Sequence, residues 1–125
     1  MNLYIVEDSE LIQQRLVDFV STIPGVQVVG VAGDIATASN QLIEQEADAC
    51  ILDLQLKDGN GLQLLKTVKQ QKPALKVVVL TNHANEANRV YALRAGADGF
   101  LDKSTDFETL QTYLSNWQQQ DSSIH

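Results

Sequence analysis

Ala49-Cys50-Ile51-Leu52-Asp53-Leu54-Gln55-Leu56-Lys57-Asp58-Gly59-Asn60-Gly61 is the stretch that decides the fold. Its first four residues are apolar without helical spacing, which reads as a strand buried on both faces. The run stops on a carboxylate, Asp53, and passes into a loop rich in Gly and Asn. In open α/β sheets ligands bind in the crevice outside the carboxyl ends of the strands, so an Asp in this position is placed for chemistry.

The same unit recurs on either side. Leu3-Tyr4-Ile5-Val6 is a short buried strand ending in Glu7-Asp8, and Ile12, Leu16, Phe19, Val20 and Ile23 then make one helical stripe closed by Pro24-Gly25. Val26, Val28 and Val31 form a second strand. Asp34 caps a second helix that turns Ile35, Ala38, Leu42 and Ile43 inward. Beyond Asp53 a third helix carries Leu62, Leu65 and Val68, and Lys76-Val77-Val78-Val79-Leu80-Thr81 is another buried strand. A fourth helix from about Asn85 has a thin stripe of Val90, Leu93 and Ala97. Ala97 to Leu101 gives the fifth strand, which runs into Asp102-Lys103. Thr105-Asp106-Phe107-Glu108 reads as a capping box opening a last helix with Phe107, Leu110, Leu114 and Trp117 on one side. Strand and helix alternating five times predict an α/β fold with one doubly wound, five-stranded parallel sheet and right-handed crossovers.

The 125 residues fit one domain with an ordinary core, expected over residues 1–120 with a flexible polar tail at 121–125. No apolar run approaches the roughly 20 residues of a membrane helix, so no membrane contact is expected. The first strand begins without a basic leader, which predicts no signal peptide. The single cysteine, Cys50, excludes an internal disulfide and suits a reducing compartment, hence a cytoplasmic location. The net charge of −7 argues against nucleic-acid binding by this domain itself.

In this layout each strand delivers its last residues to one edge: Glu7, Asp8, Asp53, Thr81 and Lys103. Crowded carboxylates in a crevice call for a cation, and hard oxygen ligands suit Mg²⁺. Lys103 precedes the N-terminus of the last helix, where a positive charge opposes the macrodipole unless an anion relieves it. A phosphoryl group on Asp53, neutralised by Mg²⁺ and Lys103 and hydrogen-bonded by Thr81, satisfies all five residues. Taken singly, each residue has a plainer reading: Glu7-Asp8 as a cap for the first helix, Thr81 as a strand end, Lys103 as a solvated lysine.

From Leu3 to about Trp117 the chain resembles the receiver domain of two-component response regulators. The resemblance rests on Val6-Glu7-Asp8, Ile51-Leu52-Asp53 with Gly61 downstream, Val79-Leu80-Thr81, and Ala95-Gly96-Ala97-Asp98-Gly99-Phe100-Leu101-Asp102-Lys103. It implies a flavodoxin-like (βα)5 fold with strand order 2-1-3-4-5 and phosphorylation of Asp53 by the phosphohistidine of a sensor histidine kinase or a histidine phosphotransfer protein. Mg²⁺ would be held by Glu7, Asp8, Asp53 and the main-chain carbonyl of Gln55. Thr81 and Lys103 would contact the phosphoryl oxygens, and Thr81 and Phe100 would form the switch. The output surface would be the fourth helix, fifth strand and fifth helix, which could also support a homodimer. Such a module is not a classical enzyme but catalyses its own phosphorylation and dephosphorylation. The run from Ala95 to Ser104 looks most like receivers that precede helix-turn-helix output domains.

The chain also departs from the commonest pattern. Leu56-Lys57 stands where Met-Pro is frequent, so a more mobile loop is expected after Asp53. Ser104 replaces a frequent cis proline, and a trans Lys103–Ser104 bond is expected because a non-proline cis bond costs about 2.5–4 kcal/mol. Asn82 and His83 sit where small or acidic residues are common, and Gln55 and His83 are expected to flank the attacking water and tune hydrolysis. The alternative function on the same fold is a flavin- or nucleotide-binding module. It would want backbone N–H groups after the first strand, where this chain has Glu7-Asp8-Ser9.

Overall fold

Strand β3 (Ala49–Leu52) lies at the centre of a five-stranded sheet with every residue buried. The structure, a computed structural model, describes residues 1–123 and the side chains of residues 1–120. Around β3 the chain lays down β1 (Asn2–Val6), α1 (Glu10–Val20), β2 (Gln27–Ala32), α2 (Ile35–Glu44), α3 (Gly61–Gln71), β4 (Lys76–Thr81), α4 (Glu86–Arg94), β5 (Gly99–Asp102) and α5 (Thr109–Ser123). The five strands of this sheet pair in parallel in the order β2-β1-β3-β4-β5, the doubly wound, flavodoxin-like arrangement expected. Residues 124–125 of the expected tail lie outside the described residues, and the backbone at 121–123 continues α5.

Alternation along the strands builds two cores. Tyr4, Val6, Cys50, Leu52, Val77, Val79 and Phe100 face α2, α3 and α4, where Ala38, Leu42, Leu64, Leu65, Val68 and Ala92 meet them. Leu3, Ile5, Ala49, Ile51, Val78, Leu80 and Leu101 face α1 and α5 through Leu16, Val20, Leu110, Leu114 and Trp117. Because both faces are covered, the strands read as continuous apolar runs.

Where neighbouring apolar residues compete for one helix face, the expected stripe is off by one position. Ile43 is 49% exposed, because Leu42 already takes the inward direction on α2 and the next residue is rotated by about 100°. Leu93 is 43% exposed for the same reason, with Ala92 buried beneath α4 in its place. The capping box at Thr105 and Glu108 does not form. Asp102 and Asp106 bond each other instead, the Asp102 N–H to Asp106 Oδ2 at 3.0 Å and the Asp106 N–H to the Asp102 carbonyl at 2.8 Å. That clasp holds 103–108 in turns and delays α5 to Thr109, although Phe107 still packs edge-on against Phe19 at 5.0 Å between centroids. The Lys103–Ser104 bond is trans, as expected.

Candidate functional site

Sheet register brings the strand-end residues together. Val6 pairs with Leu52, so Glu7 and Asp53 leave the sheet side by side, and the Asp53 N–H donates to the Val6 carbonyl at 2.9 Å. Thr81 pairs with Asp102, which puts Lys103 one step beyond, its N–H bonded to the Thr81 carbonyl at 3.1 Å. The Lys103 side chain then crosses back over β4. Its Nζ lies 2.7 Å from Asp53 Oδ2 and ion-pairs with Glu7 Oε1 as well. Lys103 is therefore not a solvated lysine.

Nor do Glu7 and Asp8 cap α1. Ser9 is its N-cap, the hydroxyl accepting from the Ile12 N–H at 3.4 Å. Glu7 is 1% exposed, with Oε2 accepting the Ser9 N–H at 2.9 Å, while Gln13 donates its side-chain N–H to the Glu7 carbonyl. Burial pushes the Glu7 carboxyl above its ordinary value, against the opposing pull of Lys103 and the Ser9 N–H. Burial also works against the Lys103 ammonium, but Asp53 and Glu7 outweigh it and leave Lys103 above its ordinary value. Ser9 and Gln13 were not singled out from sequence, since only their rotamers reveal that they hold Glu7.

Glu7, Asp8 and Asp53 each offer an oxygen to a common point, all within 4.8 Å of one another. Three carboxylates against one ammonium leave an excess of negative charge in a largely buried crevice, which a divalent cation would neutralise. The hard, all-oxygen donor set fits Mg²⁺ better than a softer metal. The crevice opens into a cleft of about 250 Å³, lined among others by Asp53, Gln55, Asn82, His83 and Lys103. The Gln55 N–H donates to Asp53 Oδ1 at 3.4 Å, and the Gln55 and His83 side chains are exposed. Thr81 is fully buried, its hydroxyl oxygen accepting the His83 N–H at 3.1 Å, so the hydroxyl proton remains to be donated. Phe100 is 9% exposed and turned into the core beneath α4.

The loop after Asp53 carries regular structure. Gln55–Leu56 and Gly59–Asn60 form a two-stranded antiparallel ribbon, with Leu56 buried in the core. The flavin or nucleotide alternative finds no anion cradle at the end of β1, where the Ser9 N–H is already taken by a carboxylate.

Comparison with known proteins agrees with this geometry. Residues 3–115 match the family described as the response regulator receiver domain. The chain is 32% identical over 103 residues to the DNA-binding transcriptional activator DevR/DosR of Mycobacterium tuberculosis, covering 82% of this chain and 48% of that protein. It is 34% identical to the transcriptional regulatory protein MalR of Bacillus subtilis, covering 94% and 50% respectively. The chain thus spans about half the length of these curated relatives. Among solved structures, RcsB from Salmonella enterica serovar Typhimurium, bound to promoter rprA with the phosphomimetic BeF3⁻, superposes with a TM-score of 0.86 at 28% identity, covering 94% of this chain and 98% of that one. The response regulator domain of Thermotoga maritima CheB gives 0.82 at 28% identity, with coverage of 96% and 94%. Among the described residues no helix is long and apolar enough to cross a membrane. The sheet order, the acidic crevice at its carboxyl edge and the match across residues 3–115 lead to one conclusion: this chain belongs to the response regulator receiver domain family of two-component systems.

Proposed function

We propose that this receiver is switched by phosphorylation of Asp53, with a histidine kinase or a histidine phosphotransfer protein as donor. The observation that carries the reading is the pairing of a 4%-exposed Asp53 with Lys103 beside two further carboxylates. A carboxylate oxygen of Asp53 attacks phosphorus, a P–O bond forms, and the P–N bond to the donor imidazole breaks, the imidazole nitrogen taking up a proton. The protein's part is placement and charge compensation. Lys103 holds one carboxylate oxygen at 2.7 Å and the Gln55 N–H holds the other, which fixes the plane of the nucleophile. Glu7, Asp8, Asp53 and the Gln55 carbonyl would hold Mg²⁺, which when bound would offset the charge of the arriving phosphoryl group. Lys103 and the Thr81 hydroxyl then take the phosphoryl oxygens.

Thr81 moving toward the phosphate and Phe100 turning further inward carry the signal to the face formed by α4, β5 and α5. That face serves partner binding or homodimerisation. Gln55 and His83, at the rim of the cleft, place the water that hydrolyses the acyl phosphate, so the domain acts on itself rather than turning over a separate substrate. The half-length match to transcriptional regulators supports a role inside a DNA-binding response regulator, with DNA contacts made outside this acidic domain.

Incubation with Mg²⁺ and a small phosphodonor, followed on a phosphate-affinity gel, tests the assignment. Wild type should shift and Asp53→Ala should not. Equal shifts in both proteins would overturn it.

A further inference from the structure

The loop after Asp53 is tied down at its far end. Asp58 sits in the turn of the 55–60 ribbon and reaches across to α2, Oδ1 accepting the Ile35 N–H at 2.7 Å and Oδ2 the Ala36 N–H at 3.2 Å. These are first-turn donors that a helix leaves unsatisfied. Asp34 caps the same helix start by accepting the Thr37 N–H at 2.7 Å, so the two carboxylates divide the work. Gly59, at φ +149°, lets the turn close against α2, since a Cβ there would meet Ile35 Cδ1 at 3.1 Å. At the other end of the ribbon, Gln55 pairs with Asn60 and gives its N–H to Asp53 Oδ1. Asn60 caps α3 through the Leu62 N–H at 2.8 Å. The ribbon is thus pinned at its base by Asp53 and α3 and at its tip by Asp58 and α2.

We propose that Asp58 is a positioning residue for the metal site: by clasping the α2 N-terminus it holds the Gln55 main chain in place beside Asp53, where its carbonyl would serve Mg²⁺. The inference rests on the proposed role of the Glu7, Asp8 and Asp53 cluster. Without the clasp no hydrogen bond among the described residues joins the tip of the ribbon to α2, which leaves the attraction between Lys57 and Asp34, and the Leu56-Lys57 segment lacks the backbone restriction a proline would impose. Groups that orient metal ligands without touching the metal commonly change affinity about 10- to 100-fold when removed.

The test is calorimetric titration with MgCl2 alone on wild type, Asp58→Ala and Asp58→Asn, together with amide hydrogen exchange. In Asp58→Ala the Ile35, Ala36 and Gln55 amides should exchange faster and the Mg²⁺ Kd should rise about 10-fold. Asp58→Asn keeps an oxygen acceptor and should recover most of the affinity. If Asp58→Ala exchanges faster at Ile35 and Ala36 but binds Mg²⁺ within twofold of wild type, Asp58 is only a helix cap and the inference falls alone. Equal weakening in both variants would assign the effect to charge rather than to the clasp, and would also overturn it. Failure of wild type to bind Mg²⁺ would overturn the metal reading of the cluster and this inference with it. Should Asp58→Ala not fold, Asp58→Ser takes its place with the same readings.

Discussion

Lys103 Nζ stands 2.7 Å from Asp53 Oδ2, a contact between the residues that immediately follow two strands separated in the sheet by β4. The same ammonium meets Glu7, so one cation compensates two carboxylates that are both almost fully buried. Removing one partner of such a cluster leaves charge buried without compensation, which typically costs about 3–5 kcal/mol.

Lys103→Met should therefore destabilise the Mg²⁺-free protein by about 3 kcal/mol near pH 8. The loss should be smaller near pH 5. Burial already raises the Glu7 carboxyl above its ordinary 4.5, and losing Lys103 raises it further. A carboxyl raised by folding contributes stability that is present below the unfolded value and lost as pH rises through the folded one. The check is the urea midpoint of variant relative to wild type at the two pH values, with and without MgCl2. A gap independent of pH and unaffected by Mg²⁺ would contradict the account.

Asp8 offers an oxygen to the acidic cluster from a half-exposed position. Asp8→Asn removes one of three crowded carboxylates, so without Mg²⁺ the variant should be at least as stable as wild type. It should also abolish most of the rise in Tm that MgCl2 is expected to give wild type through mass action. An undiminished rise would remove Asp8 from the ligand set.

Gly61 starts α3 directly against the end of β3. A Cβ there would lie 2.4 Å from the Asp53 carbonyl oxygen and 3.2 Å from Leu54 Cα, both backbone atoms that cannot swing aside. Gly61→Ala should cost about 1–3 kcal/mol by overpacking and slow labelling by the phosphodonor. Wild-type stability in urea would show that the backbone approach is looser than described.

At alkaline pH the core itself becomes the weak point. Burial pushes the Cys50 thiol from 9.0 up to about 12, and the Tyr4 phenol, bonded to Gln41, from 10.0 to about 12. Above pH 9 the unfolded chain releases the Cys50 proton while the folded one keeps it, so stability falls. Between pH 9 and pH 11 this amounts to roughly 2–3 kcal/mol, at about 1.36 kcal/mol per pH unit. Urea midpoints should drop across that range, less steeply in Cys50→Ala. Parallel slopes would tell against the buried thiol as a cause.

The strands and their order were legible because each buried run ends abruptly on a polar residue, and the alternation with helices leaves little choice of topology. The gathering of Glu7, Asp53, Thr81 and Lys103 followed from that alone. Ile43 and Leu93 were misplaced because adjacent apolar residues on a helix lie about 100° apart, and only the packing partner decides which turns inward. The start of α5 was misplaced because Thr105 and Glu108 have a good capping sequence, yet Asp102 and Asp106 satisfy the same backbone locally. The ribbon at 55–60 carries no apolar alternation to announce it. Its anchor, Asp58, bonds residues far back in the chain, and no local pattern encodes that contact.

The central claim is that Asp53 carries the phosphoryl group, and the most direct measurement locates that group. Wild-type protein labelled with a phosphodonor and Mg²⁺, then reduced with borohydride, converts an aspartyl phosphate into homoserine at the modified position. Peptide mass spectrometry should find homoserine at residue 53 and at neither residue 8 nor residue 58. Homoserine at another carboxylate, with Asp53 intact, would contradict the account.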